Sequence, residues 1–268
     1  VIQDIFEARQ RLELAVSQFE TTVAAAVSLS EVNIGVNHTG RQKRALFLFA
    51  KMIVHEMSML LIVGRFLSAK EGFRLLDHSS LATLARTAID SALMVMYISH
   101  PKLTRDEWNL RRYVLYLHDL TNRKRFLAAT GRKDLPFYDH YEVSKAEMIQ
   151  KIRRFAKALR VDAAEVSELT KGQRVFVSGA RGAVREAGWD VQEYDFIQSY
   201  TSPYVHSHPV SFMRAEENAI SFQEPAKYQL DFSVVVFSMA TECTARVTRR
   251  MATFSVSGIG DPLGQVDD

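Results

Sequence analysis

An all-α fold, a single-domain bundle of seven or eight helices, is what this sequence predicts, and three observations carry it. Apolar residues recur at three- and four-residue spacing through most of the chain. Thr104, Ser144 and Asp162 each stand three residues ahead of a glutamate where such a stretch opens, the pattern of a capped helix N-terminus. Only Arg174 to Ser178 alternates like a strand, and nothing in the chain pairs with it. At 268 residues, 47% hydrophobic and 24% charged, the chain has ample material for a core. The domain is expected to span 1–254, with 255–268 as a flexible C-terminal tail on its Gly-rich composition.

In order, residues 2–27 place Ile5, Leu12, Val16, Phe19 and Val23 on one side of an amphipathic helix. Asn33, Gly35, Asn37 and Gly40 mark the loop behind it. The next helix, 41–69, is apolar nearly all round, which predicts a place in the middle of the bundle. Lys51, His55, Glu56 and Arg65 interrupt it, so it reads as a buried helix and not as a membrane span. Asp77, Ser79 and Ser80 are N-cap candidates for a helix over 80–99, which stops before Pro101. Thr104 with Glu107 opens a fourth helix that ends near Gly131. Residues 132–143 read as a loop, and Ser144 with Glu147 opens a helix to Leu159 with a strongly basic outer side. Asp162 with Glu165 caps a short helix. Residues 170–188, with four glycines, read as irregular or weakly helical, followed by helices over 190–201 and 226–253.

No amphipathic period explains residues 198–209, QSYTSPYVHSHP. A residue before proline avoids the α region, so Pro203 reads as the first residue of a one-turn helix with Ser202 as its N-cap. The functional alternative has Ser202 and His206 cooperating near a ligand, with His208 as a second base. Neither HExxH nor CxxC occurs and no third ligand joins His206 and His208, so no metal and no cofactor is expected. The lone Cys243 excludes an intramolecular disulfide, sits in an apolar helix as a core residue, and favours a cytoplasmic location; no membrane is expected among the partners.

Charge is unevenly distributed. Residues 101–160 hold 15 Lys/Arg against 7 Asp/Glu, while residues 161–268 carry a net −6. A basic middle beside an acidic last third points either to an anionic partner or to mutual docking. Arg123, Lys124 and Arg125 beside Phe126, and Arg153 and Arg154 beside Phe155, are patches that could hold a phosphate backbone and stack a base. The structural alternative is a solvated face with both phenylalanines in the core. Arg86 and Asp90, four apart, share a helix face. They form an internal ion pair, or else Arg86 clamps an anion with its rigid donor fork. Arg112 and His118 lie six apart, 600° of helix rotation, which places them 120° off a common face.

Leu84-x-Arg86-x-x-x-Asp90, Arg112-Tyr113 and the late Ser202-x-x-x-His206 resemble a family of all-helical bacterial proteins without an assigned activity. That family pairs a Leu-x-Arg-x-x-x-Glu helix with a downstream Ser-x-x-x-His segment. Asp90 stands here for the usual glutamate. The resemblance implies a helical domain over about residues 40–210. Arg112-x5-His118 is similar to the signature of the HEPN group of helical RNA-cleaving and nucleotide-binding domains, although Tyr113 departs from the polar residue expected beside the arginine. That similarity implies metal-independent RNA cleavage in a bacterial stress or phage-defence setting. His118 would do the acid–base work, Arg112 would stabilise the phosphate, and the site would assemble across a homodimer.

Two readings follow. In the first, an RNA-binding helical protein uses the basic segment, with Arg112 and His118 as catalytic residues in its stronger form. In the alternative, a non-enzymatic module takes a small anion or partner protein in a pocket of Arg86, Asp90, Tyr113, Ser202, His206 and His208.

Overall fold

The computed structural model describes residues 2–69, 75–132 and 136–264. Nine α-helices stand among them, where seven or eight were expected: α1 Ile2–Glu31, α2 Gly40–Leu67, α3 His78–Ile98, α4 Arg105–Ala129, α5 Phe137–Ala158, α6 Ala163–Leu169, α7 Gly179–Glu186, α8 Val191–Val205 and α9 Lys227–Phe254. Of the described residues 73% are helical, and no strand occurs among them. Where RVFVS alternates, the backbone makes bends and turns that lead into α7. The fold separates into two compact units, one of α1–α3, α8 and α9, the other residues 100–189 with α4–α7.

In the first unit α1 lies against α9 and α2 against α3, while α3 also meets α9 and α8. The core is apolar side chains from α1, α2, α3 and α9, among them Leu12, Phe19, Met59, Leu81 and Phe237, with the Phe19 and Phe237 rings edge to face at 5.2 Å. Each such side chain contributes about 1.5–3 kcal/mol by leaving water. The central helix is α3: 67% of its most apolar window is buried, against 33% for α2. α2 is therefore not the middle helix that its composition predicts. Ala45, Phe49, Met52, Met59 and Val63 face the core, and the opposite side stays open.

Local signals set the helix starts. Thr39 accepts from the Gln42 amide at 3.1 Å while Gln42 Oε1 accepts from the Thr39 amide at 3.0 Å. Asp77, not Ser79 or Ser80, caps α3, accepting from the Ser80 amide at 2.9 Å. Thr104 and Glu107 form the expected box on α4, and Asp162 caps α6.

Two stretches depart from expectation. α5 starts at Phe137, seven residues before Ser144, because Phe137 and Tyr141 bring their rings within 5.7 Å of each other and take cations from α4. Residues 133–135 of the expected loop lie outside the described residues. The second is the C-terminal segment. Residues 255–264 fold back onto the first unit, where Asp261 Oδ1 meets Arg41 Nη1 at 2.7 Å with both side chains 2% exposed. Thr39 Oγ1 donates to Asp261 Oδ2 at 2.8 Å, and Arg41 Nε donates to the Ile98 carbonyl at 2.7 Å. The glycines that suggest mobility make the return possible. A Cβ on Gly260 would sit 2.4 Å from the Phe254 carbonyl oxygen.

In the second unit α4 and α5 form an antiparallel hairpin. Leu110, Val114, Leu117, Ile152, Ala156 and Leu169 of α6 make its core.

Candidate nucleic-acid interface and anion site

The α4–α5 hairpin carries the basic residues. Near its connection, Arg123 lies over the Phe137 ring at 5.2 Å. Lys124 lies over Tyr141 at 3.9 Å and reaches Glu142 at 3.2 Å. At the far end Tyr113 stacks on Phe155, centroids 5.9 Å apart and planes 13° apart. Arg112 lies over Tyr113 at 5.3 Å and Arg154 over Phe155 at 5.5 Å. The seventeen residues from Tyr138 to Arg154 span about 25 Å, so the two clusters stand at opposite ends of the hairpin. Lys145 and Lys151 lie between them on α5.

Arg123, Arg125, Arg153 and Arg154 make no ion pair with any described carboxylate, and all four are exposed. Phe155 is a core residue. Phe126 is not: it is 57% exposed beside the three cations. The unit as a whole holds 19 Lys/Arg against 11 Asp/Glu, a net +8, and the other unit is net −5.

Arg112 and His118 do not converge on one point of α4. Arg112 Nη2 donates to Asn109 Oδ1 at 2.9 Å. His118 lies one turn before Asn122, whose Nδ2 sits 3.0 Å from its Nε2 and 2.9 Å from its carbonyl oxygen. Burial lowers the His118 pKa, with Asp119 opposing, which favours the neutral ring.

Arg86 and Asp90 meet as an ion pair within α3, Nε to Oδ2 at 3.2 Å. Two residues of α8 that sequence reasoning missed complete the group. Gln198 Nε2 donates to Asp90 Oδ1 at 3.2 Å, and Tyr194 bonds the same carboxylate. Burial raises the Asp90 pKa, while Arg86, Tyr194 and Lys51 of α2 pull it down. Burial, with Asp90 adding to it, pushes the Tyr194 phenol up to about 12. Arg86 Nη1 is buried with no hydrogen-bond partner. The spacing of Tyr194 and Gln198, four apart on a helix, was the available signal.

Ser202, His206 and His208 take other roles. α8 runs through Pro203 to Val205, so Ser202 is inside a helix and is not an N-cap. Pro203 lies in the last turn, where a missing N–H removes only one late hydrogen bond. It is Pro209 that begins a one-turn 3-10 helix, with His208 before it. His206 closes α8, and its ring stacks on His208 at 5.3 Å, both exposed. Packing does explain the tyrosines of this stretch. Tyr200 and Tyr204 lie 4.9 Å from Phe232, and the Tyr204 and Tyr228 hydroxyls are 3.1 Å apart. Tyr113 belongs to the other unit.

Cys243 is buried and its thiol is pushed up to about 12 by burial, which keeps it protonated and unreactive. Among the described residues no group of three or more His, Cys, Asp or Glu is placed to hold a metal ion. Comparison with family models, curated proteins and solved structures finds no match to this chain.

Proposed function

We propose that the chain binds single-stranded nucleic acid, RNA in the first instance, along the α4–α5 hairpin. One observation carries this: four exposed arginines, Arg123, Arg125, Arg153 and Arg154, stand without a carboxylate partner among the described residues. Unpaired guanidinium groups attract phosphates, and release of the counterions condensed on those phosphates drives association. Lys124 is held over Tyr141 and supports the same run, and Phe126 offers a ring on which a base can stack. The span of about 25 Å suits a single strand that touches both clusters and passes Lys145 and Lys151.

Binding is the reading that the geometry supports. Strand scission by Arg112 and His118, which the HEPN similarity implies, is its stronger form and would need the two residues to meet across two copies of the chain, since on one α4 their side chains stand 120° apart and have other partners. The test is fluorescence anisotropy with a labelled single-stranded RNA in the absence of metal, with the probe run on a gel afterwards. Wild type, Arg123→Glu/Arg125→Glu and His118→Ala would be compared. Loss of binding in the double variant supports the interface. Scission that His118→Ala abolishes would add the catalytic role.

The alternative, a small anion at Arg86, rests on the buried and unpartnered Nη1. Its group is Arg86, Asp90, Tyr194 and Gln198, in place of the Ser202 and His206 expected beforehand.

A further inference from the structure

His206 and His208 have no part in the hairpin or in the group around Arg86, and the turn after α8 brings them together. α8 ends at Val205 with His206 as its C-cap, and the His208 amide donates back to the Pro203 carbonyl at 2.9 Å. That bond closes the helix around a left-handed residue, usually glycine. Here the residue is Ser207, at φ +50°. The reversal sets the side chains before and after it face to face, with ring centroids 5.3 Å apart and planes 29° apart. Both backbones are held from outside the turn. The helix end fixes His206, and Pro209 keeps His208 extended at φ −68°, ψ 156°. Both rings are exposed and neither hydrogen-bonds a described residue, so core packing does not account for the arrangement.

We infer that His206 and His208 chelate one divalent transition-metal ion, Cu2+ more tightly than Ni2+ or Zn2+. Imidazole nitrogen suits these ions, and copper stands highest in the affinity order for such donors. Calcium and magnesium are poor fits by the same chemistry, since they take oxygen ligands.

The spacing agrees. An ion about 2.0 Å from one nitrogen of each ring lies about 3.2 Å from each ring centre, so ligand angles of about 90–110° put the two centres about 4.5–5.2 Å apart. Rotation of each exposed ring about its Cβ–Cγ bond aims the nitrogens at one point while the backbone stays in place. Among the described residues no third His, Cys, Asp or Glu joins them, so water completes the coordination. The ion is then an exchangeable surface ligand and not a closed structural centre that folding requires. The sequence displays the His-x-His spacing. It does not display the left-handed turn that makes a chelate of it. The other six histidines stand far apart in the chain and offer no such pair.

Isothermal titration of the full chain with Cu2+ and with Zn2+ tests this. One ion should bind per chain, Cu2+ the more tightly. His206→Ala, His208→Ala and the double variant should all weaken Cu2+ binding by the same factor, at least about tenfold, because losing either ring leaves a single ligand. Ser207→Pro keeps both imidazoles but forces φ to about −65°. It should lose the chelate as well, with the circular dichroism unchanged, whereas Ser207→Gly should keep it. A chain that takes up neither ion overturns the inference. So does binding that survives in either single histidine variant, which would place the ion at carboxylates or at other histidines. A Ser207→Pro chain that binds Cu2+ as tightly as wild type would overturn it too, since the turn would then play no part.

Discussion

Asp261 and Arg41 form a buried ion pair with every strong partner in place: Thr39 on one carboxylate oxygen, the Ile98 carbonyl on the guanidinium, and the Phe254 ring 4.9 Å from it. Removing one member of such a pair strands the other charge without water. Asp261→Ala should therefore lower the stability of the chain by about 3–5 kcal/mol in a urea titration. A change below about 0.5 kcal/mol, the range of ordinary surface substitutions, would mean that residues 255–264 are not held as described. Glu56 is the second buried carboxyl. Burial pushes its pKa up to about 8 despite the hydroxyl of Thr244, and its Oε2 has no hydrogen-bond partner. Between about pH 4.5 and 8 the folded chain keeps a proton on this group that the unfolded chain gives up. The stability it contributes is therefore greatest below pH 4.5, falls as pH rises, and levels off above about 8. Glu56→Gln should remove that fall and raise stability at pH 8 relative to pH 5 by a few kcal/mol, on the order of 1.4 kcal/mol for each pH unit crossed. Equal pH profiles for variant and wild type in urea titrations would refute it. Neither residue announces itself in the sequence, because a lone Asp after Gly-Ile-Gly and a Glu in an apolar helix acquire meaning only from what folds over them.

At the level of elements, helix starts were legible wherever a side chain of the starting residue itself supplies the cap, as at Thr104 and Asp162. They were not legible at Phe137, where aromatic packing against α4 outweighs the capping box that Ser144 and Glu147 suggest. Pro203 shows the same limit, since the penalty of an interior proline shrinks in the last turn. α2 shows a different one. Its composition says only that apolar groups lie all round it, and whether the outer half meets core, solvent or another chain is a tertiary fact. The loop after α6 allows a sharp test. Gly172 has φ +72°, and a Cβ there would lie 2.6 Å from Thr121 Cγ2, while Thr121 Oγ1 donates to the Gly172 carbonyl at 2.7 Å. Gly172→Ala combines a left-handed backbone with a collision. It should cost about 2–3 kcal/mol and speed amide exchange in α4 and α6 but not in α9. Uniform exchange, or no loss of stability, would contradict that packing.

Across the whole molecule the charge asymmetry survives folding as a basic unit and an acidic one, +8 and −5. The basic segment was visible in the sequence because charge is read directly from residue identity. Its division into two clusters at opposite ends of a hairpin was not, because that depends on α5 beginning early and running back along α4. The candidate anion group was half legible: Arg86 and Asp90 by their spacing, Tyr194 and Gln198 only once α8 lies on α3.

The central claim is that the α4–α5 hairpin binds single-stranded RNA through unpaired cations. The measurement that addresses it most directly is RNA affinity as a function of salt. With about five phosphates neutralised, log K should fall with log salt at a slope of about −3.5, a loss of about 100-fold between 50 and 200 mM. Arg123→Glu/Arg125→Glu should flatten that slope by at least one. Absence of RNA binding at 50 mM salt would contradict the claim, as would a slope that the double variant leaves unchanged. Absence of binding together with thermal stabilisation by inorganic phosphate, lost in Arg86→Gln, would place the function at α3 and α8 instead.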